Sequence, residues 1–429
     1  MIVRLLLANA LELGAGVGVA ALLRLPLGAS YLAGLGLTGI LSAHLALVHV
    51  TYGWIMLVAV CVASLLVAFR LGRLPSATLT RPRLGLVGWS SLIALLALLL
   101  HAWPVFRDKP LDDYDAWAMW GMKGKALDLF GWANPHLFAS PGAEPLHLDY
   151  PLLIPSLEAV ASRAMGGFDP QRIHLQFLLF GVAGIAAFHG YFRQAISRRL
   201  LWPWLVVIAA APAFMGQLLT AYADIPMALF VGAAVLASAR WVGEGAIGIP
   251  AAPAFFLACG ALTKNEGVVY AAAVLVALLV STRRLAAVIA AGVVVEAVLL
   301  PWQIWLAARH VHTDTLLTAH SLEVHHPGIA PLALHALLGP AVALSAWPLI
   351  LPLFGIAALL ARATHVSVFA VTFVVVAFLG LDWIYVVSPL EWSNYLSYSG
   401  DRVIDGVLVG AAVLTPLLAT ERVSRIGWP

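Results

Sequence analysis

Between residues 285 and 306 the chain reads "LAAVIAAGVVVEAVLLPWQIWL", and Glu296 is its only charged side chain. A run this long and this apolar matches the roughly 20 residues a helix needs to cross the hydrocarbon of a bilayer. Such runs recur, at about 5–23, 31–49, 53–69, 86–103, 172–192, 201–217, 225–239, 250–263, 267–281, 344–361, 366–387 and 403–420. The runs are continuous and do not alternate, so helices are expected over a closed barrel, the two solutions that satisfy the backbone in lipid. Only 10% of the 429 residues are charged, against roughly 25% in soluble domains. The expected class is an all-α, polytopic transmembrane helical bundle. The first run is interrupted by Glu12 and followed by many others, so it reads as a membrane helix and not as a cleaved signal.

The arginines sort the two sides, because cytoplasmic connections collect Lys and Arg. Clusters stand at Arg70, Arg73, Arg81 and Arg83, at Arg193, Arg198 and Arg199, at Arg283 and Arg284, and at Arg422 and Arg425. With about 13 spans all of these face one side, provided that 151–165, which carries Glu158 and Arg163, lies on the outer surface or re-enters instead of crossing. Three regions follow: N-terminal transmembrane helices over 1–103, an outer loop with amphipathic surface helices and candidate acids over 104–171, and the remaining bundle over 172–429. The net charge of +3 without a basic tract gives no footprint for nucleic acid. Cys61 and Cys259 lie in apolar runs, which is no disulfide framework.

Nearly every unusual polar residue falls in segments opposite the arginine clusters. "LDDYDAWAMWGMKGKALDLF" holds Asp112, Asp113 and Asp115 ahead of a helical run with Trp117 and Trp120. Acids at such a place cap free N–H groups, and tryptophans anchor interfaces, but capping accounts for one acid and not three. In "PLHLDYPLLIP" His147 and Asp149 alternate before Tyr150, so an extended backbone turns both the same way. Asp224 opens a span with Pro226 just inside, ordinary helix-start chemistry and also a place to hold an anion. Lys264, Asn265 and Glu266 join two apolar runs, and a lysine beside a helix start suits phosphate. "EWSNYLSYSGDRVIDG" gathers Glu391, Trp392, Tyr395, Tyr398, Asp401 and Arg402, with Arg402 placed against the positive-inside bias. His310, His312, Asp314, His320, His325 and His326 share one loop. Their spacing fits no standard metal site, so no metal and no cofactor is expected, a divalent ion being the alternative.

Taken in order, "DAWAMWGMKGKAL", "HLDYPLLIP", "YADIPMALF", "LTKNEG" and "EWSNYLSYSGDR" resemble the motifs of bacterial GT-C membrane glycosyltransferases. The group includes protein mannosyltransferases, the aminoarabinose transferase of lipid A and rhizobial core-oligosaccharide galacturonosyltransferases. The resemblance covers about 100–270 and 388–402. It implies a polyprenyl-phosphate-linked sugar as donor, a lipid, glycan or protein as acceptor, and an acid in the first outer loop as general base. By that resemblance Asp115 is the base with Asp113 in reserve. Lys264 and Arg402 meet the donor phosphate. His147, Asp149, Tyr150, Asp224, Glu266, Trp117 and Trp120 bind substrate. The family's setting is a bacterial inner membrane with the site facing the periplasm. Two departures stand out: three spans precede the helix leading into the loop, and no C-terminal soluble domain follows. The rival class is a transporter or flippase of an anionic or lipid-linked solute, for which Asp224, Lys264 and Glu296 would be pathway residues.

Overall fold

The computed structural model describes residues 1–73, 84–311, 326, 328–388 and 392–420. Among these it has helices and no strands. In chain order the helices are α1 (Ile2–Leu23), α2 (Ser30–Leu47), α3 (Trp54–Arg70), α4 (Leu86–Asp108), α5 (Met122–Phe130), α6 (Pro135–Phe138) and α7 (Leu153–Met165). They continue with α8 (Pro170–Ala195), α9 (Arg198–Ala209), α10 (Pro212–Leu219), α11 (Asp224–Gly243), α12 (Ala251–Thr263), α13 (Glu266–Thr282) and α14 (Leu285–Ala307). The last are α15 (Ala330–Val342), α16 (Ile350–Leu360), α17 (His365–Val387), α18 (Trp392–Ser399) and α19 (Asp405–Thr420). Of the described helices, 7 are long and apolar enough to cross a membrane, or 8 if α9 and α10 form one span bent by 51°. The bend falls where Pro212 follows Ala210 and Ala211, since proline cannot donate and disfavours helix at the residue before it. The expected count of 13 is therefore not reached on length, because α3, α12, α13, α16 and α19 are shorter apolar helices.

The centre of the bundle is α11, buried on every face and packed against α8, α12, α13, α17 and α19. At its periphery α1 and α2 cross at close range through small residues, the usual device where lipid supplies no hydrophobic drive. A methyl group at Gly16 would lie 2.6 Å from the Gly34 backbone nitrogen. Polar groups bond α1 to α2 and to α8. Asn9 and Gln176 exchange amide hydrogen bonds at 3.0 and 3.1 Å, and the Tyr31 hydroxyl donates to Asn9 at 2.5 Å.

Contacts at the helix ends separate two poles. At one, Arg240 donates to the Arg24 carbonyl, Arg73 to the Ala21 carbonyl, and Arg284 to the Gly245 and Ala246 carbonyls. At the other, the Thr51 hydroxyl meets the Gly131 carbonyl and the Trp302 indole donates to the Asp149 carbonyl. The segment between α4 and α8 sits at this second pole. Within it α7 differs from the expected amphipathic surface helix: all its residues but Arg163 are buried. It is covered by α5 on one side and by α1 and α2 on the other. Its polar residues deceive because they face protein: Ser162 donates to Asp128 at 2.6 Å, and Glu158 packs against Gly124 of α5, where any side chain would collide with it.

Candidate functional site

After α4 the chain turns at Lys109, whose ammonium pairs with Asp113 at 2.5 Å and Asp112 at 3.2 Å. Asp115 then opens a π-helical turn, Asp115–Gly121. Such turns are rare and concentrate at functional sites. This one buries Ala116, Met119 and Trp120 while Asp115 stays at the rim. The Trp120 ring meets Tyr150 edge-on, 5.5 Å between centroids.

The turn 147–150 is held by Lys123 of α5. Its ammonium donates to the His147 carbonyl at 2.5 Å and reaches the Tyr150 carbonyl at 3.4 Å. His147 has a φ of +46°, a left-handed conformation that costs about 1–3 kcal/mol outside glycine and persists only when its surroundings fix it. The clamp fixes it. Burial pushes the Lys123 ammonium down to about 7, with the Asp149 carboxylate acting the other way. Asp149, delivered by this turn, accepts from the Asn265 amide at 2.9 Å.

A second left-handed residue, Ala221 at φ +58°, turns the chain into α11 and places Asp224 at its start. Asp224 receives Lys264 at 2.6 Å, and Lys264 also meets Glu266 at 3.1 Å. Lys264 caps the end of α12 in extended conformation, and α13 begins two residues later. Gly267 permits this tight reversal, because a Cβ there would lie 2.7 Å from the Ala261 Cα. Burial disfavours the Lys264 charge, but Asp224 and Glu266 override it and hold the ammonium above the usual lysine range.

Arg402, in the turn between α18 and α19, closes the constellation. One terminal nitrogen pairs with Asp115 at 2.5 Å and lies 3.9 Å from Asp224. Its Nε and other terminal nitrogen donate to the Tyr398 carbonyl at 3.1 and 3.0 Å, and its guanidinium lies 4.6 Å from the Tyr222 ring centre. Burial works against this guanidinium; Asp224 and Asp115 outweigh it and raise it further. The result is one ionic chain, Glu266–Lys264–Asp224–Arg402–Asp115, in which three carboxylates share two cations. Its members differ in access: the side chains of Asp224 and Glu266 are 2% and 4% exposed, that of Asp115 16%.

Asp115, Asp224, Lys264, Glu266 and Arg402 thus meet directly, with Asp149 joined through Asn265, and His147, Tyr150 and Trp120 flanking. Asp113 stands beside them on Lys109. Trp117 points elsewhere, edge-on to Phe168 with Lys125 over its ring. Lys264 is enclosed between carboxylates, so Arg402 is the cation nearer the open side. Sequence reading passed over Asp405, fully buried at the start of α19, which accepts from the Trp347 indole at 2.8 Å. An acid opening a helix reads as a cap, and nothing local marks its partner. It also passed over Lys123, whose neighbours are backbone carbonyls. Glu391, His312, Asp314, His320 and His325 lie outside the described residues. Among the described residues no three His, Cys, Asp or Glu side chains converge as a metal ligand set. No family model, no curated protein and no solved structure matches the chain.

Proposed function

We propose that the protein is an inverting GT-C-type glycosyltransferase of a bacterial inner membrane, acting at the periplasmic face on a polyprenyl-phosphate-linked sugar. One observation carries the reading. Five segments far apart in sequence, chosen for their likeness to that family, supply the members of one connected ionic and hydrogen-bonded network. The outermost carboxylate of that network is Asp115. In this reading Asp115 accepts the proton of the acceptor hydroxyl, the hydroxyl oxygen bonds to the anomeric carbon from the face opposite the phosphate, and the carbon–oxygen bond to phosphate breaks. Polyprenyl phosphate departs as an anion and is met by Arg402. Lys264 keeps Asp224 and Glu266 in place behind it.

Two further features support a lipid-linked donor. The network sits at one pole of the bundle, where a head group enters from the bilayer surface. An apolar recess of about 310 Å³ between α4, α8, α9 and α10, lined by Leu99, Ala102, Ile185 and Leu218 among others, is of the kind that takes a hydrocarbon chain. We keep the crossing number at 13, with α3, α12, α13, α16 and α19 crossing as short helices. The pole contacts support this, since α12 and α13 join the site at Lys264 and the arginine pole at Arg284. Against the transporter reading, Glu296 faces outward and lines no route through the bundle.

The test is purified protein in lipid nanodiscs, supplied with polyprenyl-phosphate sugars and candidate acceptors, and assayed for released polyprenyl phosphate. Asp115→Asn is expected to lower turnover by about 10²–10⁴-fold with the fold retained. Undiminished turnover would sink the assignment of the base. Movement of the lipid-linked sugar across the bilayer without bond cleavage would favour the transporter.

A further inference from the structure

The outward face of α14 carries Ile289, Val293, Glu296, Leu300 and Ile304, spaced by three or four residues and therefore on one stripe. The four apolar members are 45–62% exposed, and Glu296 is exposed between them. α14 starts beside Arg283 and Arg284 at one pole and ends near Trp302, which reaches the site at the other. At 1.5 Å per residue Glu296 lies near mid-membrane. Among the described residues it has no hydrogen-bond or ion-pair partner. A carboxylate at that depth, facing lipid, is costly and is ordinarily paired.

A second observation lies at the foot of the same stripe. Arg284 donates to the Gly245 carbonyl at 3.3 Å and to the Ala246 carbonyl, and its guanidinium stands 5.5 Å from the Trp241 ring centre. This props the 246–250 loop beside the first turn of α14. Between them opens a recess of about 610 Å³, whose lip is formed by Ile247, 91% exposed, and Leu285, 57% exposed. Apolar surface thus runs from the recess up the stripe as far as Glu296.

We propose that this face docks a transmembrane helix of another protein, one that presents a lysine or arginine at mid-membrane to Glu296. Charge complementarity selects this occupant over a second copy. Among the described residues, every lysine and arginine on a membrane-crossing helix of this chain lies in its first or last turn, as Arg4, Arg107, Arg172, Arg193 and Arg240 do. A copy therefore brings no counter-charge to that depth. The recess receives the partner's residues where its helix leaves the membrane. The inference is independent of the transferase reading and survives its failure.

The test places a photo-cross-linking amino acid at Val293 or Leu300 of the full chain in its native membrane and identifies the attached peptide by mass spectrometry. The expected adduct is an apolar segment of about 20 residues from a different protein, with a lysine or arginine near its middle. Glu296→Leu should cut the yield about tenfold, in line with interhelical polar contacts in membranes, while Glu296→Asp retains it. Exchanging the charges, with Glu296→Lys here and glutamate at the partner's basic residue, should restore it. Leucine suits an exposed lipid-facing position, so unchanged elution and thermal stability accompany the Leu variant. Adducts with lipid alone, with a second copy of this chain or with a segment lacking lysine and arginine would overturn the proposal. So would a yield indifferent to Glu296→Leu.

Discussion

The sharpest consequence of the ionic chain concerns Lys264. Its ammonium lies 2.6 Å from Asp224 and 3.1 Å from Glu266, and all three side chains are at most 5% exposed. Lys264→Met keeps the length and removes the charge. Asp224 then retains only Arg402 at 3.9 Å, and Glu266, which has no other ion-pair partner among the described residues, is left charged and buried. Breaking a buried ion pair from one side costs about 3–5 kcal/mol, most of it the uncompensated charge left behind. If stranded charge is the cause, neutralising it must repair the damage. The triple variant Lys264→Met, Asp224→Asn, Glu266→Gln should return to within about 2 kcal/mol of the parent, since buried ion pairs exchange for neutral groups at little net cost. Equilibrium unfolding of the full chain in lipid bilayers measures both. A loss below about 1 kcal/mol for Lys264→Met, the range of exposed pairs, would refute the reasoning. So would a triple variant as unstable as the single.

Three further predictions follow from buried groups and close packing. Burial holds Glu158 well above the ordinary carboxylate range, so the folded protein stays protonated there while the unfolded chain ionises above about 4.5. Stability relative to Glu158→Gln is therefore full below that pH and falls as pH rises, by up to about 1.4 kcal/mol per unit; a difference constant from pH 4 to 7 would contradict this. Lys123 has the opposite sign. Its folded value is about 7 against 10.5 unfolded, so between those values the unfolded chain binds the extra proton and stability rises with pH; Lys123→Met should abolish that rise in pH-dependent unfolding. Gly34→Ala would place a methyl group 2.6 Å from the Glu12 backbone carbon. It should destabilise the α1–α2 pair by about 1–3 kcal/mol, seen as a lower unfolding temperature.

The membrane class, the helices and the crowding of polar segments at one pole were legible because they follow from composition and from the positive-inside bias. The five motifs that meet in the site were legible as segments, and Asp115 as the acid heading its helical run. Their pairing was not. Lys264 stands two residues from Glu266 but 40 from Asp224, and only the packing of α11 against α12 brings the second carboxylate. As a lysine beside a helix start it reads as a free anion ligand, whereas two carboxylates already occupy it. For α7 the failure is of another kind. Glu158 and Arg163 read as marks of a segment at the outer surface, but Gly124 lets α5 close over Glu158. The span count is not fixed by helix length, because apolar runs such as 250–263 and 344–361 form helices shorter than those long enough by themselves to cross a membrane.

The order of the ionic chain also assigns dependence among its members. Arg402 touches Asp115 at 2.5 Å and Asp224 at 3.9 Å through the same nitrogen, so the outer acid is positioned by a cation whose own place depends on the inner one. Asp224 is in turn fixed by Lys264 and by the left-handed turn at Ala221. A change at Glu266 therefore reaches Asp115 through four contacts, the first two between buried side chains. Rigid placement of an accessible carboxylate by buried partners is what a functional group held to fractions of an ångström requires. Asp224 and Glu266 share Lys264, and Arg402 lies nearer to Asp115 than to Asp224. The charge left over thus falls on the buried inner pair, while Asp115, the carboxylate that solvent can reach, keeps a close cation of its own.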